Sequence, residues 1–177
     1  MSTRQLLFSG FGGQGILFAG KFIAYKGLTD EKQVSWLPSY GPEMRGGTAS
    51  CSVIVSDEPV GSPIVSTPDV LIAMNLPSLD KYENTVAKGG IIIMDSSLIE
   101  RKVMRDDVTV YAVPATKLAS DNGMPTLANM ILVGKLLKVL DDFREESVTA
   151  GLKKVISAKR ADMLDVNRKA MQIGADY

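Results

Sequence analysis

The chain has 177 residues, 45% of them hydrophobic and 23% charged, with Lys+Arg and Asp+Glu both at 20 and a formal net charge of zero. That length supports one domain with a real core, and a neutral chain is not a nucleic-acid binder driven by phosphate neutralisation. It contains no histidine and a single cysteine, Cys51, which excludes imidazole acid–base catalysis, an internal disulfide, a Cys/His zinc site and a four-thiolate iron–sulfur cluster. No stretch approaches the ~18 consecutive apolar residues of a membrane helix. Met1–Gln5 leads into a strand with no signal-peptide pattern, so the expectation is a cytoplasmic protein without a membrane partner. Catalysis would have to rest on Asp, Glu, Lys, Tyr or a borrowed cofactor. No catalytic residue and no metal ligand are assigned, and so bare a chain reads as a binding or assembly subunit.

Leu6-Leu7-Phe8 predicts a first strand, and Gly10-Phe11-Gly12-Gly13-Gln14-Gly15 a tight turn into a helix over about Gly15–Lys26. Four glycines in six positions permit positive φ and leave no Cβ to block a close neighbour. The N–H groups opening the helix, at the positive end of its dipole, favour an anion or an acidic group. Gly12, Gly13, Gln14 and Gly15 are therefore candidate binding residues. The spacing also matches G-x-G-x-x-G, but the dinucleotide fingerprint needs an acid about twenty residues on, at the end of a second strand. Asp30 lies in the polar stretch Leu28–Gln33 instead. A structural turn, an anion site and a nucleotide site all stay open here.

Gly27 is the expected helix stop, and Gln33–Leu37 a short strand ended by Pro38. Pro38–Gly47 carries two prolines and three glycines, which rules out regular structure. It also presents Tyr40, Gly41, Pro42, Glu43, Met44, Arg45, Gly46 and Gly47, large and charged groups on a constrained loop, the usual make-up of a contact surface. A solvated turn with a weak Glu43–Arg45 pair is the alternative. Thr48–Val55 alternates, with Ala49, Cys51, Val53 and Val55 on one face, so Cys51 reads as a small buried residue. Val60–Ser66 is a candidate edge strand. Asp69–Asn75 and Ile91–Asp95 are continuous apolar runs, as in strands buried on both faces. Pro77–Val86 is a helix with proline at its start. Asn75 and Asp95 end their strands and suit either a helix cap or a ligand contact.

Val108–Val113 is the next strand, Pro114–Ala119 a short helical segment and Asn122–Pro125 a break. Thr126 is the expected cap of Leu127–Leu140, the longest apolar helix of the reading, which must pack on the sheet or on a partner. Amphipathic helices follow at about Arg144–Ser157 and Arg160–Ile173, with Met163, Leu164 and Met171 as core or interface. Strands alternating with helices predict an α/β three-layer sandwich, a mainly parallel central sheet with helices on both faces. The closely spaced strands after Trp36 allow part of it to be antiparallel. The whole chain, 1–177, reads as a single domain, with C-terminal helices from about 144.

Gly10–Ile16 followed by Ser39–Ala49 and then by Asp95 after a buried strand resembles the gamma subunit of 2-oxoacid:ferredoxin oxidoreductases over about residues 4–140. The octapeptide from Tyr40 is the specific part. These enzymes convert a 2-oxoacid and coenzyme A to acyl-CoA and carbon dioxide while reducing ferredoxin. The resemblance implies that thiamine diphosphate with Mg2+ and the iron–sulfur clusters sit on other subunits, so that this chain binds no cofactor alone. It implies alpha and beta partners, a ferredoxin-like delta subunit in some forms, ferredoxin as acceptor, and 2-oxoglutarate as the 2-oxoacid. Gly12–Gly15 would lie on the coenzyme A path or an interface, and Tyr40–Gly47 on the face toward the partners. A stand-alone nucleotide-binding dehydrogenase of Rossmann type, and a homodimer without ligand, are the other readings carried forward.

Overall fold

The computed structural model describes residues 2–39 and 48–177. Among them six strands form one sheet in the order β2-β3-β1-β4-β5-β6. The strands are β1 (Arg4–Phe11), β2 (Gln33–Ser39), β3 (Thr48–Ser56), β4 (Val70–Ala73), β5 (Ile91–Asp95) and β6 (Thr109–Val113). β1, β4, β5 and β6 run parallel, whereas β3 is antiparallel to both β1 and β2. The sheet is thus mixed at one side, as the short spacing after Trp36 predicts. The apolar runs of β4 and β5 sit in the middle, where every residue of β4 is buried, because a parallel strand with layers on both faces needs apolar side chains on both.

The helices are α1 (Ile16–Thr29), α2 (Leu76–Tyr82), α3 (Ala115–Asp121), α4 (Ala128–Val139), α5 (Glu145–Val155) and α6 (Met163–Asp176). One face of the sheet gives Leu6, Phe8, Cys51, Val53, Val70, Ile72 and Ile93 to the large core under α1, α3, α4, α5 and α6. The other gives Leu7, Leu71, Ala73, Ile92 and Met94 to a smaller core closed by Leu79 of α2, Val86 and Ile99. The three layers are therefore unequal. Arg101, paired with Asp80 and Glu83, and Arg105, bonded to the carbonyls of Glu83 and Val86, hold the segment after β5 against the thin layer.

α4 and α6 cross at glycines. A Cβ on Gly134 would run into the Met171 backbone carbonyl, and one on Gly174 into that of Ile131. At the lower end of α1, Lys26 is only 2% exposed and pairs with Asp30 at 2.7 Å and Asp142 at 2.8 Å. That clasp ties α1 to the turn between α4 and α5. A buried charge is tolerated when paired in this way.

Four local expectations change. Gly27 does not stop α1: it lies inside the helix, where a Cβ would come within 3.0 Å of Val34 and 3.2 Å of Val55, so it allows a close approach to the sheet. The reversal falls on Glu31, whose φ is 58°. β2 passes through Pro38 to Ser39 because it is an edge strand, where a missing N–H need cost no ladder bond. Residues 60–66 make no strand; Pro59, Val60 and Ile64 line a surface hollow together with Ile54 instead, and the sheet edges are β2 and β6. Thr126 does not cap α4, which starts at Ala128 with Leu127 at the N-cap and no side-chain cap. At 12 residues α4 is also shorter than α1 and α6, each of 14.

Candidate functional site

The carboxyl ends of β1, β4, β5 and β6 share one edge, the usual location of binding crevices in such sheets. β1 delivers Phe11 into the glycine turn, where Gly12 and Gly13 are exposed. Thr48, the first described residue after the Tyr40–Gly47 loop, pairs with Phe11, and Ser39, the last before it, pairs with Ser50. Both ends of that loop therefore meet the sheet beside the glycine turn. Tyr40, Gly41, Pro42, Glu43, Met44, Arg45, Gly46 and Gly47 themselves lie outside the described residues. Phe11, Leu76 and Leu98, which end or follow β1, β4 and β5, are large apolar side chains exposed at this edge.

Gln14 is committed within the turn. Its Oε1 accepts from Phe11 N–H at 2.6 Å and its Nε2 donates to the Met74 carbonyl at 3.2 Å, stapling the loop to the end of β4. Gly15 is the N-cap of α1 in the left-handed region, φ 75°, and its carbonyl accepts from Asn129 Nδ2 at 3.0 Å. A Cβ there would strike the Asn129 amide. No side chain caps α1 and no acid occupies its first turn, so the positive end of the helix dipole is left for an outside group. Gln14 thus shapes the turn, and Gly12, Gly13 and the first N–H groups of α1 are what it presents. Asn129 escapes sequence reasoning: its signal is a lone amide within the apolar run Leu127–Val133, which reads as helix surface until α1 is seen beside it.

The polar strand ends serve as caps. Asn75 Oδ1 accepts from Ser78 N–H at 2.8 Å and caps α2. Asp95, fully buried, accepts from Ser97 N–H at 3.0 Å and from the hydroxyl of Thr116 at 2.6 Å and its N–H at 3.1 Å. It thereby anchors the start of α3. Cys51 faces the main core, and burial pushes its thiol up to about 12. The Trp36 indole lies beside the sulfur and lowers that value slightly without forming a well-aligned hydrogen bond. A thiol so protonated is not a nucleophile at neutral pH. Among the described residues no group of three His, Cys, Asp or Glu could hold a metal ion.

The sheet order removes the dinucleotide reading. That fingerprint needs β2 parallel and adjacent to β1, with an acid at its carboxyl end on the ribose. Here antiparallel β3 separates β1 from β2. Asp30 sits at the opposite end, as the C-cap of α1, with its carboxylate on Lys26 and Arg144.

Comparison with known proteins gives a consistent set of relatives. The family model described as pyruvate ferredoxin/flavodoxin oxidoreductase matches residues 5–177. The ketoisovalerate oxidoreductase subunit VorA of Methanothermobacter thermautotrophicus is 40% identical over 96% of this chain, which spans 35% of VorA. The chain thus covers about a third of the VorA length. The 2-oxoglutarate synthase subunit KorC of Methanocaldococcus jannaschii is 36% identical over 82% of this chain and 79% of its own. The crystal structure of the keto/oxoacid ferredoxin oxidoreductase gamma subunit from Geobacter sulfurreducens PCA superposes with a TM-score of 0.82 at 28% identity, covering 98% of this chain and 96% of that one.

Proposed function

The chain belongs to the pyruvate ferredoxin/flavodoxin oxidoreductase family, and from that membership we propose that it is the gamma component of a 2-oxoacid:ferredoxin oxidoreductase, working in a complex with alpha- and beta-type chains. In this reading the assembly oxidatively decarboxylates a 2-oxoacid in the presence of coenzyme A and passes the electrons to ferredoxin. In the same reading thiamine diphosphate and Mg2+ sit on the partner chains, as do the clusters, which one buried cysteine and no histidine cannot ligate.

The family match over residues 5–177 carries the proposal, and the Phe11–Thr48 and Ser39–Ser50 pairings bring the glycine turn and both ends of the Tyr40–Gly47 loop to one sheet edge. Coenzyme A is a polyanion. The uncapped start of α1 with exposed Gly12 and Gly13 is chemically suited to its phosphates. The exposed Phe11, Leu76 and Leu98 supply the apolar contacts of a subunit face. Arg45 and Glu43 lie outside the described residues and enter the proposal by side-chain chemistry alone, a guanidinium suited to a carboxylate or phosphate and a carboxylate suited to a partner cation. The 2-oxoacid in this reading is 2-oxoglutarate, because the chain spans most of KorC but only a third of VorA. Ketoisovalerate is the second reading, supported by the higher identity to VorA.

The test is co-expression with alpha- and beta-type chains from the same organism, followed by purification and turnover with each 2-oxoacid. The expected result is a stable complex in which Arg45→Ala raises the KM for coenzyme A or weakens assembly by about 10- to 100-fold, the loss of one charge-assisted contact. Unchanged assembly together with an unchanged KM overturns the assignment of that face.

A further inference from the structure

Two glycines of the turn are each fitted to one side-chain amide. A Cβ on Gly10 would lie 2.7 Å from Gln14 Oε1, and one on Gly15 would strike Asn129 Nδ2. Between these two pairs stands Gly13, exposed and with open space where its Cβ would be. Gln14 belongs to the turn itself. Asn129 comes from 114 residues away, in the first turn of α4.

Packing and local hydrogen bonding do not account for that asparagine. It is buried, it leaves α4 without a side-chain cap, and its Oδ1 has no donor among the described residues. Its Nδ2 donates to the Gly15 carbonyl, an oxygen that already accepts from Ala19 N–H at 3.0 Å. Neither that carbonyl nor α4 depends on the bond for a partner. A buried acceptor left without a donor costs stability, so an apolar side chain would suit the run Leu127–Val133 at least as well. What the amide adds is position. It holds the carbonyl that opens α1, and with it the left-handed Gly15. Natural chains keep such local violations where a site requires them. We propose that Asn129 is a positioning residue of the glycine turn, fixing the start of α1 so that Gly12, Gly13 and the first N–H groups of the helix meet an incoming anion in one arrangement. Gln14 fixes the opposite flank through Phe11 and Met74. The inference rests on the reading of this turn as the coenzyme A contact. Its physical basis is pre-organisation: donors held in place beforehand need not be ordered when the ligand arrives.

The experiment compares Asn129→Ala, Asn129→Leu and Gly13→Ala in the complex reconstituted with alpha- and beta-type chains, with thermal melts of the purified chain alongside. Both Asn129 variants remove the stranded oxygen together with the bond, and leucine also fills the space that alanine leaves. The expected result in both is a KM for coenzyme A raised about tenfold or more, with kcat and the KM for the 2-oxoacid unchanged. The Tm of the purified chain should stay within about 3 °C of wild type, while the Gly13 and Gly15 amide signals shift in its 1H–15N spectrum. Gly13→Ala, which alters the turn directly, should raise the same KM. An unchanged KM for coenzyme A in both Asn129 variants, beside a raised one in Gly13→Ala, overturns the positioning role and leaves the coenzyme A reading standing. An unchanged KM in all three overturns that reading and the positioning role with it. A Tm lowered by about 6 °C or more in both Asn129 variants, with kcat and both KM values altered together, makes the asparagine structural and also overturns the proposal. So does an effect confined to the alanine variant, which is then the effect of a cavity.

Discussion

Gly13 and Gly15 sit two residues apart in one turn and both have positive φ, 91° and 75°, yet they do different things. Gly13 has open space where a Cβ would be, whereas Gly15 has Asn129 there. Gly13→Ala should cost only the left-handed backbone penalty, about 1 kcal/mol. Gly15→Ala adds displacement of Asn129 and loss of its bond to the Gly15 carbonyl, for a total of about 2–3 kcal/mol. Denaturant titration of the two variants measures the difference. Cys51 gives a test by pH. Its thiol is raised from an ordinary 9.0 to about 12, so the folded state holds the proton more tightly than the unfolded chain. The resulting stabilisation is complete below pH 9 and is lost as the pH climbs to about 12. The stability gap between wild type and Cys51→Ala should therefore narrow across that window, and a gap independent of pH would mean the thiol is more open than its surroundings indicate.

At the scale of elements, the decisive contact is between α4 and α6. Their glycines let the two backbones touch, because a Cβ at either position would occupy a main-chain carbonyl of the other helix. Backbone cannot rotate away as a side-chain tip can. Gly134→Ala or Gly174→Ala should cost about 3 kcal/mol, a Tm drop of about 6–12 °C in a domain of this size. The double variant should cost less than the sum, since the first methyl already forces the helices apart. Thermal melts of the three proteins decide it. The strands show why some boundaries were readable and others not. β4 and β5 were plain from their unbroken apolar runs. Gly27 reads as a helix stop in the sequence because its closeness to Val34 and Val55 is a tertiary fact. Likewise the apolar segment 60–66 reads as a strand, while Pro63 lacks a ladder donor and Val60 and Ile64 line a surface hollow with Ile54 instead.

For the molecule as a whole, the balance of surfaces matters most. One sheet face lies beneath five helices and the other beneath a thin layer held by Arg101 and Arg105. The edge between them collects the glycine turn, the ends of the Tyr40–Gly47 loop and exposed Phe11, Leu76 and Leu98. That edge is the one proposed to meet the alpha- and beta-type chains, and the co-purification experiment tests it at this scale. The inventory of side chains by itself determined that the chain lacks imidazole and the thiolates of a cluster, that it folds as an α/β sandwich, and which two motifs are distinctive. Those conclusions depend on composition and on local periodicity, which the linear chain carries in full. The tertiary structure alone decided that antiparallel β3 separates β1 from β2, which removes the nucleotide reading. It alone turned Asn75 and Asp95 into caps, engaged Gln14 within its own turn, and brought Asn129 onto the Gly15 carbonyl. The physical reason is the same each time: whether a polar group is free or satisfied depends on donors and acceptors from distant parts of the chain, and spacing along the sequence does not contain them.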